Sequence, residues 1–404
     1  MKNVLLIAFY FPPRNHIAGY RTGCFAKYLP ENGWLPTVIC EDWPAGKPDY
    51  DADFVGRIPP EVEIIRIPNP RPQTLYQKVW LRKLMPYWRP SHAPHAWWQA
   101  ARKQIQELCR RKRFDAIWAT YDPLVTLGLA EETAAEWNVP WIADIRDSCN
   151  VQPRGSWYKR PLWSWHERQA CRKANAVVTV SNDLATGLSR ATGRQIEVLE
   201  NGFDPELFAG KAVPRRNVFS IAYTGNLLYP HQDPKLLLQA VDDCLRTNAI
   251  PRSGLELVFY GPSREQIETA WPGAMSSLPI RIFPRISHQE IIAVQRASSV
   301  LLLLTFAGQK GVLTGKLFDY LGAGNPILAV PGDNGDVEAL LRRTGAGVSA
   351  GTVAEISALL KRWYAEWKVK GRIDWVRDEA QVNIYSRRVQ TKRLAGMLDR
   401  LIAR

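Results

Sequence analysis

The sequence predicts an α/β protein with two doubly wound domains in tandem, each a parallel sheet covered by helices. Short apolar runs without polar alternation recur along the chain, as is typical of strands buried on both faces of a parallel sheet. Helical patterns separate these runs. The series restarts after residues 201–205 and a polar stretch that ends at Asn217, and 404 residues are too many for a single core.

The predicted elements follow in chain order. Strands of the first half are expected at residues 4–11, 37–40, 62–67, 116–119, 140–144, 176–180 and 197–199. Strands of the second half are expected at 220–224, 256–260, 280–283, 300–304 and 327–330. Helices between them include 122–137, 235–246, 289–297 and 353–367, and apolar positions at helical spacing predict one long helix over 377–404. We place the first domain at 1–205 and the second at 206–379. The carboxyl ends of strands from both are expected to line a cleft.

Composition limits the class of protein and its compartment. With 46% hydrophobic and 23% charged residues the chain is globular rather than disordered. Its six cysteines are scattered without regular spacing, which favours a reducing compartment over a disulfide framework or a structural zinc site. The apolar start of the chain lacks a small-residue cleavage site and leads into Pro12, so we interpret it as a strand. We therefore expect a cytoplasmic protein.

The formal charge of +14 is concentrated in residues 71–113, which contain eleven Lys or Arg and one acidic residue, Glu107. Four tryptophans are interleaved with these cations: Trp80, Trp88, Trp97 and Trp98. Such a composition suits the headgroup layer of an anionic membrane, which would make the protein peripheral to the inner face of the cell membrane. Nucleic acid is a less favoured partner, and a solvated basic face over core tryptophans requires no partner at all.

Residues 311–326, with the sequence GVLTGKLFDYLGAGNP, are the most informative segment. They follow a buried strand and predict a helix that begins at a phosphate-binding turn. Gly315 permits close approach of the backbone, Lys316 supplies a cation, and the first turn of the helix has unpaired N–H groups. Asp319, one turn later, can accept hydrogen bonds from ribose hydroxyls. A nucleoside diphosphate is one interpretation, and an ordinary capped helix with an ion pair is the other.

Several further segments occur in an order and spacing that resemble a known family. Before the domain boundary they are 11–13 (FPP) with 18–21 (AGYR), 144–147 (DIRD), 180–182 (VSN) and 200–204 (ENGFD), and after it 223–227 (YTGNL) and 315–324 (GKLFDYLGAG). This pattern is similar to the GT-B glycosyltransferases, in particular the retaining GT4 family, which transfer a sugar from a nucleotide-sugar. The resemblance implies two Rossmann-like domains, with the last helix, about 380–404, packing back onto the first.

The resemblance also implies roles for individual residues. Lys316, Arg146 and Asp147 are expected in catalysis, and Arg21 and Asn201 on the acceptor side. Asp147 either orients the acceptor hydroxyl or simply pairs with Arg146, and Asn201 either contacts the substrate or is part of an ordinary Asn-Gly turn. Donor-binding residues are expected to be Gly19, Gly225, Asn226, His231, Arg285, Thr314, Gly315, Lys316 and Asp319. Because Lys316 and backbone N–H groups would neutralise the leaving diphosphate, no cofactor or metal ion is expected. Asp51 and Asp53 imitate a metal-binding motif, but they lie in a polar loop without a preceding strand, so we interpret them as a solvated acidic turn.

The sequence departs from the family pattern at three places. Gly311 stands where relatives carry the first Glu of a pair whose second member corresponds to Asp319. Asn226 and His231 replace an Arg and a Lys, and Arg146 replaces a His.

Three functions therefore stay open. The first is a sugar transferase, with a UDP- rather than a GDP-linked donor and a glycan or lipid-linked acceptor in cell-surface polysaccharide or glycoconjugate synthesis. The second is an enzyme of the nucleotide-sugar 2-epimerase kind, and the third is a basic module without catalysis that binds membrane or nucleic acid.

Overall fold

The structure is a computed structural model that describes residues 1–47, 49–69, 95–121, 123–151, 160–210, 216–306 and 308–403. The chain divides into two compact units. The amino-terminal domain comprises Met1–Asn201 and Arg387–Arg404, and the carboxy-terminal domain comprises Gly202–Ser386. The sequence had placed these divisions at 205/206 and 379/380, a few residues away in each case.

The amino-terminal domain is built on a seven-stranded parallel sheet. Its strands are β1 (Lys2–Ile7), β2 (Trp34–Glu41), β3 (Glu63–Ile67), β4 (Ala116–Tyr121), β5 (Trp141–Ile145), β6 (Ala176–Thr179) and β7 (Glu197–Val198). They are arranged in the order β3-β2-β1-β4-β5-β6-β7. The helices are α1 (Ile17–Tyr28), α2 (Ala52–Val55), α3 (His95–Arg111), α4 (Val125–Trp137), α5 (Arg160–Lys173) and α6 (Asn182–Thr192).

The carboxy-terminal domain repeats this plan with six parallel strands. They are β8 (Phe219–Thr224), β9 (Leu255–Tyr260), β10 (Ile280–Phe283), β11 (Val300–Leu304), β12 (Ile327–Val330) and β13 (Gly347–Ser349), in the order β10-β9-β8-β11-β12-β13. Its helices are α7 (Pro205–Phe208), α8 (Lys235–Arg246), α9 (Arg264–Ala270), α10 (Ala274–Ser277), α11 (His288–Ala297), α12 (Gly315–Ala323), α13 (Asp336–Thr344), α14 (Val353–Lys370) and α15 (Glu379–Asn383). A final helix, α16 (Arg387–Ile402), belongs to the amino-terminal domain.

Each sheet is buried on both faces, which explains the continuous apolar runs. In β1, Leu5 and Ile7 contribute to a core cluster with Trp97 of α3, whereas Val4 and Leu6 contribute to a second cluster with Leu398 of α16. Successive side chains of a strand point to opposite faces, so both sets must be apolar when helices cover both faces. The same alternation in β8 and β11 divides the carboxy-terminal core into two clusters.

The predicted single helix over 377–404 is wrong, because the structure has two helices, α15 and α16. Between them Tyr385 is fully buried in the carboxy-terminal domain near Phe318, and its carbonyl accepts the N–H of Phe203 at 3.1 Å. The chain passes from one domain to the other immediately afterwards. A continuous helix would have to give up these contacts of Tyr385, so the helix is interrupted.

Part of the basic segment 71–113 lies outside the described residues, including Trp80 and Trp88. Within the described part, Trp97 is fully buried and Trp98 is 8% exposed, both in the core cluster of the amino-terminal domain. These two tryptophans are therefore core residues, and the expectation that they anchor a membrane is wrong. The neighbouring Arg102 is exposed and pairs with Glu132 at 3.2 Å, as expected of a solvated basic face.

Other surface and compositional expectations have plain structural outcomes. Asp51 caps the short helix α2 by accepting the N–H of Asp53 at 3.1 Å, so the acidic turn is a helix start. None of the six cysteines forms a disulfide bond. None of the helices in the described parts of the chain is long and apolar enough to cross a bilayer.

Candidate functional site

The carboxy-terminal sheet provides a ligand-binding crevice through its strand order. The chain proceeds from β8 to β9 on one side of β8, whereas β11 lies on the other side. In open α/β sheets ligands bind beyond the carboxyl ends of strands at this topological switch point. Residues 225–226 follow β8, and α12 with Lys316 follows β11. The segments predicted to bind a nucleotide are therefore brought together at one edge of the sheet.

Lys316 is held at this edge by groups from the end of β8. Its ammonium donates a hydrogen bond to the Asn226 carbonyl oxygen at 3.0 Å and contacts the Tyr223 hydroxyl, and Nζ lies 3.9 Å from the centre of the Tyr223 ring. The residue as a whole is half-buried. Burial lowers the pKa of Lys316 to about 7. The site therefore holds a desolvated cation whose contacts are a phenol, a carbonyl and an aromatic face.

Tyr223 was not predicted as a site residue, and it fixes the position of Lys316. It is 1% exposed, and its hydroxyl donates to the Asn226 carbonyl at 2.6 Å. The buried Gln232 lies next to this hydroxyl, and its side-chain amide donates a hydrogen bond to the Leu304 carbonyl at the end of β11 at 2.8 Å. These bonds connect the ends of β8 and β11, the two strands that flank the crevice. The groups that hold the Lys316 ammonium are therefore rigid.

Gly225 makes room for the lysine rather than for a ligand alone. Its φ of +98° lies in the left-handed region that favours glycine, and a Cβ there would lie 3.2 Å from Lys316 Cε. The neighbouring strand end is equally tight, because a Cβ on Gly261 would lie 2.8 Å from the Gly225 carbonyl oxygen. The sequence predicted that a ligand approaches the backbone closely at Gly225. In the structure the Lys316 side chain occupies this space.

Polar groups suited to an anion surround Lys316. The Asn226 side-chain oxygen accepts a hydrogen bond from Arg285 Nε at 3.1 Å, so Asn226 contacts both predicted cations. Thr314 is the N-cap residue of α12, but its hydroxyl caps nothing and is buried without a hydrogen-bond partner among the described residues. The N–H groups of Gly315 and Lys316 belong to the first turn, which leaves such donors unpaired. A phosphate oxygen is a ligand that could satisfy these donors.

Asp319 lies one turn into α12 and has a partner that the sequence did not reveal. Its carboxylate is 3.2 Å from His288 Nε2, and the two side chains are 25% and 20% exposed. His288 begins α11, which follows β10 at the same edge of the sheet. The imidazole orients the carboxylate, which has a second oxygen to accept a further hydrogen bond. His231, in contrast, is exposed and makes no polar contact with any described residue, so its donor-binding role stays a prediction.

Two predicted acceptor-side residues have structural roles in the amino-terminal domain. Arg21 is fully buried and pairs with Asp144, with Nε to Oδ2 at 2.8 Å and Nη2 to Oδ1 at 3.2 Å. Its remaining donors bind the carbonyls of Leu199 and Glu200 and the side chain of Asn201. The placement corrects the prediction, because a guanidinium with all five N–H groups occupied and no solvent contact cannot meet an acceptor. Asn201 Oδ1 accepts a hydrogen bond from Arg21 within this cluster.

Gly19 also serves internal packing. A Cβ at this position of α1 would lie 3.2 Å from the Arg14 carbonyl oxygen and 3.4 Å from Phe11 Cα. The backbone that approaches Gly19 is therefore that of the loop after β1. The prediction that this glycine admits a donor phosphate has no support from its surroundings.

Arg146 and Asp147 follow β5 at the carboxyl edge of the first sheet. The Arg146 guanidinium donates to Thr120 Oγ1 at 2.9 Å and to the Tyr121 carbonyl at 2.7 and 3.0 Å, and the residue is 8% exposed. Asp147 is half-buried. Besides burial, which has the largest effect, Arg146 lowers and Asp147 raises the pKa of His16, which precedes α1. The edge therefore combines a cation, a carboxylate and an imidazole, of which the sequence had identified the first two.

The loop after β5 is fixed by a buried carboxylate that the sequence analysis missed. Glu167 of α5 is fully buried and accepts hydrogen bonds from Ser148 Oγ, the Cys149 N–H and Asn150 Nδ2, at 2.7, 2.7 and 2.6 Å. No sequence signal marks this glutamate, because its partners come from a distant loop. It supports the segment that carries Arg146 and Asp147. Elsewhere in the described ranges, no group of three or more His, Cys, Asp or Glu side chains could hold a metal ion.

Residues 18–202 match a family model described as the glycosyl transferase 4-like domain. This segment is similar to the members of that family. The match covers most of the amino-terminal domain, including Arg146, Asp147 and the Arg21 cluster. A comparison of the sequence with curated proteins gave no significant match.

Solved structures show that the whole chain has the GT-B fold. Sucrose-phosphate synthase from Thermosynechococcus elongatus has a TM-score of 0.71 at 14% identity, covering 100% of both chains. Anabaena HepE in complex with UDP and glucose has a TM-score of 0.67 at 14% identity, covering 99% of this chain and 100% of that one. A UDP-N-acetylglucosamine 2-epimerase homologue from Listeria monocytogenes has a TM-score of 0.55 at 12% identity, covering 99% and 96%.

The resemblance drawn from the motifs is thus confirmed, as is the fold class of two Rossmann-like domains with parallel sheets. Because the structural neighbours share so little sequence, they establish the fold and leave the reaction to the residues of the site. Transferases and an epimerase homologue both share the fold.

Proposed function

We propose that the chain is a retaining glycosyltransferase. It moves a hexose from a nucleotide-sugar, UDP-linked rather than GDP-linked, to a glycan or lipid-linked acceptor in the synthesis of cell-surface polysaccharides or glycoconjugates. The match of residues 18–202 to a glycosyl transferase 4-like domain supports the transferase class. HepE, which has the same fold, is described in complexes with UDP and with UDP-glucose, and this supports a UDP-linked donor.

The observation that carries the proposal is the setting of Lys316 at the β8/β11 switch point. It is a desolvated cation at the start of a helix, next to the buried hydroxyl of Thr314, which has no hydrogen-bond partner in the described part of the chain. A diphosphate would supply oxygens to the ammonium, to that hydroxyl and to the first-turn N–H groups. Asp319, one turn along the same helix, would then accept a ribose hydroxyl while His288 holds its other oxygen.

The chemistry follows from where charge develops. As the bond from the anomeric carbon to the diphosphate oxygen breaks, negative charge grows on the leaving diphosphate. The acceptor hydroxyl oxygen forms the new bond on the same face, and its proton passes to the leaving diphosphate oxygen. Fixed donors at the diphosphate stabilise this transition state more than the ground state. Lys316, Arg285 and the first-turn N–H groups of α12 supply them, so we propose that no divalent metal is required. Asp147 is proposed to orient the acceptor hydroxyl.

The first test is nucleotide protection against thermal unfolding. UDP-glucose, GDP-mannose and dTDP-glucose are compared at equal concentration, because a ligand at a hundredfold its Kd adds about 2.7 kcal/mol to stability. We expect the largest rise in Tm with a UDP-sugar, unchanged by EDTA. No shift with any nucleotide-sugar at millimolar concentration would remove the proposal.

The second test separates a transferase from an epimerase. With a binding UDP-sugar, a transferase gives UDP and a glycoside only when an acceptor is present, and proton NMR of that glycoside reports whether the anomeric configuration is retained. An epimerase changes the sugar of the donor without an acceptor. Formation of an epimerised UDP-sugar in acceptor-free buffer would favour the second function.

The predicted contact of the basic segment 71–113 with an anionic membrane surface is tested separately on the full chain. Sedimentation with vesicles of phosphatidylglycerol and phosphatidylcholine is compared with sedimentation with phosphatidylcholine alone. Each Lys or Arg close to an anionic surface contributes about 1 kcal/mol, so binding should be lost in salt. Equal binding to both vesicle types would exclude an electrostatic membrane contact.

A further inference from the structure

His16 is held in one orientation at the carboxyl edge of the amino-terminal sheet. It is the N-cap residue of α1, and its Nδ1 accepts the N–H of Ala18 at 3.2 Å. Its ring stacks on Tyr10, with 3.9 Å between ring centres and 15° between planes. One contact fixes an edge of the imidazole and the other fixes a face. The ring is therefore positioned before any substrate binds.

This geometry determines the tautomer of the neutral ring. Because Nδ1 accepts a hydrogen bond, the single proton of a neutral imidazole resides on Nε2. Nε2 makes no hydrogen bond with any residue in the described ranges, and it is not among the buried atoms that lack a partner. An N–H donor is thus held near solvent at a fixed place, although histidines at helix N-caps usually need no second role.

The groups that face His16 keep it neutral. Burial, Arg146 and Arg14 lower the pKa of His16 to about 4, against smaller opposing effects of Asp147 and Asp49. These residues come from the loop after β1, from the loop after β5 and from the segment preceding α2. At neutral pH the side chain therefore acts as a donor without charge. It cannot act as a general base, since both ring nitrogens are already committed.

Because the strand order is β1-β4-β5, the loops after β1 and β5 lie on either side of β4 at the switch point of the first sheet. A substrate that reaches Asp147 at this edge also comes close to His16. In the proposed reaction this is the hydroxyl-bearing acceptor. We propose that His16 is an acceptor-binding residue that donates a hydrogen bond from Nε2 to a hydroxyl oxygen of the acceptor sugar. This inference rests on the function proposed above.

A matched pair of substitutions separates the two nitrogens. The amide of Asn overlaps the Nδ1 position and Asn is among the best N-cap residues, so His16→Asn keeps the helix cap and loses the Nε2 donor. The amide of Gln reaches the Nε2 position, so His16→Gln keeps the donor and loses the cap. His16→Ala loses both. Turnover is measured with UDP-glucose, or whichever nucleotide-sugar protects the chain best, and with the octyl hexoside that the wild-type chain glycosylates best.

We expect His16→Asn to lower kcat/KM for the octyl hexoside about tenfold, the usual effect of one lost hydrogen bond. Its Tm and its Kd for the nucleotide-sugar should equal those of the wild type. His16→Gln should retain kcat/KM within about threefold and lose roughly 2–4 °C in Tm, because a cap is missing.

The opposite ranking of the two variants in kcat/KM would overturn the inference. If His16→Asn is as active as the wild type and His16→Gln is impaired along with its Tm, the histidine is a helix cap only. Wild-type kinetics in both variants would also exclude a hydrogen bond from His16 Nε2 to the acceptor. Failure of the wild-type chain to bind any nucleotide-sugar would instead remove the proposed function, and with it this role. The two failures are distinguished by the nucleotide Kd.

Discussion

The two domains share one strand order but use its switch point differently. In the carboxy-terminal domain the switch point between β8 and β11 carries a half-buried lysine and two groups with no hydrogen-bond partner among the described residues. These are the Thr314 hydroxyl and the second carboxylate oxygen of Asp319. In the amino-terminal domain the cation Arg21 is fully buried, and each of its N–H groups has a partner. The carboxy-terminal lysine is therefore suited to a ligand, whereas the comparable cation of the amino-terminal domain holds that domain together.

The difference shows why a cation in a matching motif is not evidence of binding by itself. Lys316 and Arg21 both lie in segments that resemble family motifs. Arg21 has Asp144 at 2.8 Å, so its charge is balanced internally. The contacts of Lys316 among the described residues are neutral, and burial lowers its pKa to about 7. A cation whose counter-charge is absent from the fold is the better candidate for a ligand.

The largest effect is expected from breaking the internal pair. Asp144→Ala leaves Arg21 charged and buried without its partner, which typically costs about 3–5 kcal/mol. We expect the urea midpoint of the amino-terminal domain to fall strongly. Glu31→Ala is the matched control, because Glu31 pairs with Arg388 at the surface of the same domain and such pairs contribute about 0–1 kcal/mol. Equal midpoints for the two variants would show that the buried network is dispensable.

At Lys316 we expect a substitution to lower activity strongly and to leave stability almost unchanged. Lys316→Ala should leave the thermal midpoint without ligand unchanged or slightly raised, because a desolvated cation is removed. It should lower kcat by about 10²- to 10³-fold, as is usual for loss of one donor to a developing anion. Lys368→Ala, an exposed lysine in the last turn of α14, is the control. A Lys316→Ala variant with wild-type turnover would show that the lysine is not a catalytic residue.

The same lysine makes donor affinity depend on pH. In the free protein its pKa is about 7, and a bound diphosphate raises it, so binding takes up a proton above pH 7. We expect the Kd of UDP-glucose, whose diphosphate does not titrate in this range, to be lowest below pH 7. It should rise by up to about tenfold per unit between pH 7 and 9.

Calorimetry across this pH range, in buffers of different ionisation enthalpy, measures both the affinity and the proton uptake. Lys316→Arg provides the control, because a guanidinium stays charged throughout and its profile should be flat. A pH-independent Kd in the wild-type chain would show that Lys316 is already charged in the free protein.

Strands in the interior of the sheets were well predicted from the sequence. The two interior strands β11 and β12 were assigned to the residue, because a strand covered by helices on both faces must be apolar throughout. The edge strand β13 was missed, since Gly347–Ser349 has three residues and no apolar run. The interruption between α15 and α16 was missed because Tyr385 fits the helical spacing, while its buried position depends on the other elements of its domain.

The site was predicted in part, for a related reason. Lys316, Asn226, Arg285 and Asp319 carry a local signal, and the structure brings them to one edge of the carboxy-terminal sheet. Tyr223, His288 and His16 were missed, because each acts through a contact with a residue distant in sequence or with its own helix. Arg21 was assigned to the acceptor for the same reason, since nothing in its motif indicates that Asp144 lies beside it. Spacing identifies residue types for chemistry, but only the packing shows which of them are already satisfied.

The smallest effect is expected at the carboxylate that would bind the ribose. Asp319→Ala should weaken UDP-glucose binding about tenfold, the value of a hydrogen bond to a charged acceptor. His288→Ala removes only the group that orients Asp319 and should weaken binding about threefold. These changes leave Lys316 in place, so kcat at saturating donor should stay close to that of the wild type.

A substrate lacking the relevant hydroxyl makes this last test specific. The 2′-deoxy and 3′-deoxy analogues of UDP-glucose remove the ribose hydroxyls one at a time. If Asp319 binds one of them, the wild type loses about tenfold in affinity for that analogue, whereas Asp319→Ala binds it and UDP-glucose equally. The double-mutant-cycle coupling between hydroxyl and carboxylate isolates their contact from any disturbance of the helix. Additive losses would mean that Asp319 serves only as the partner of His288, and that the ribose is recognised elsewhere in the carboxy-terminal domain.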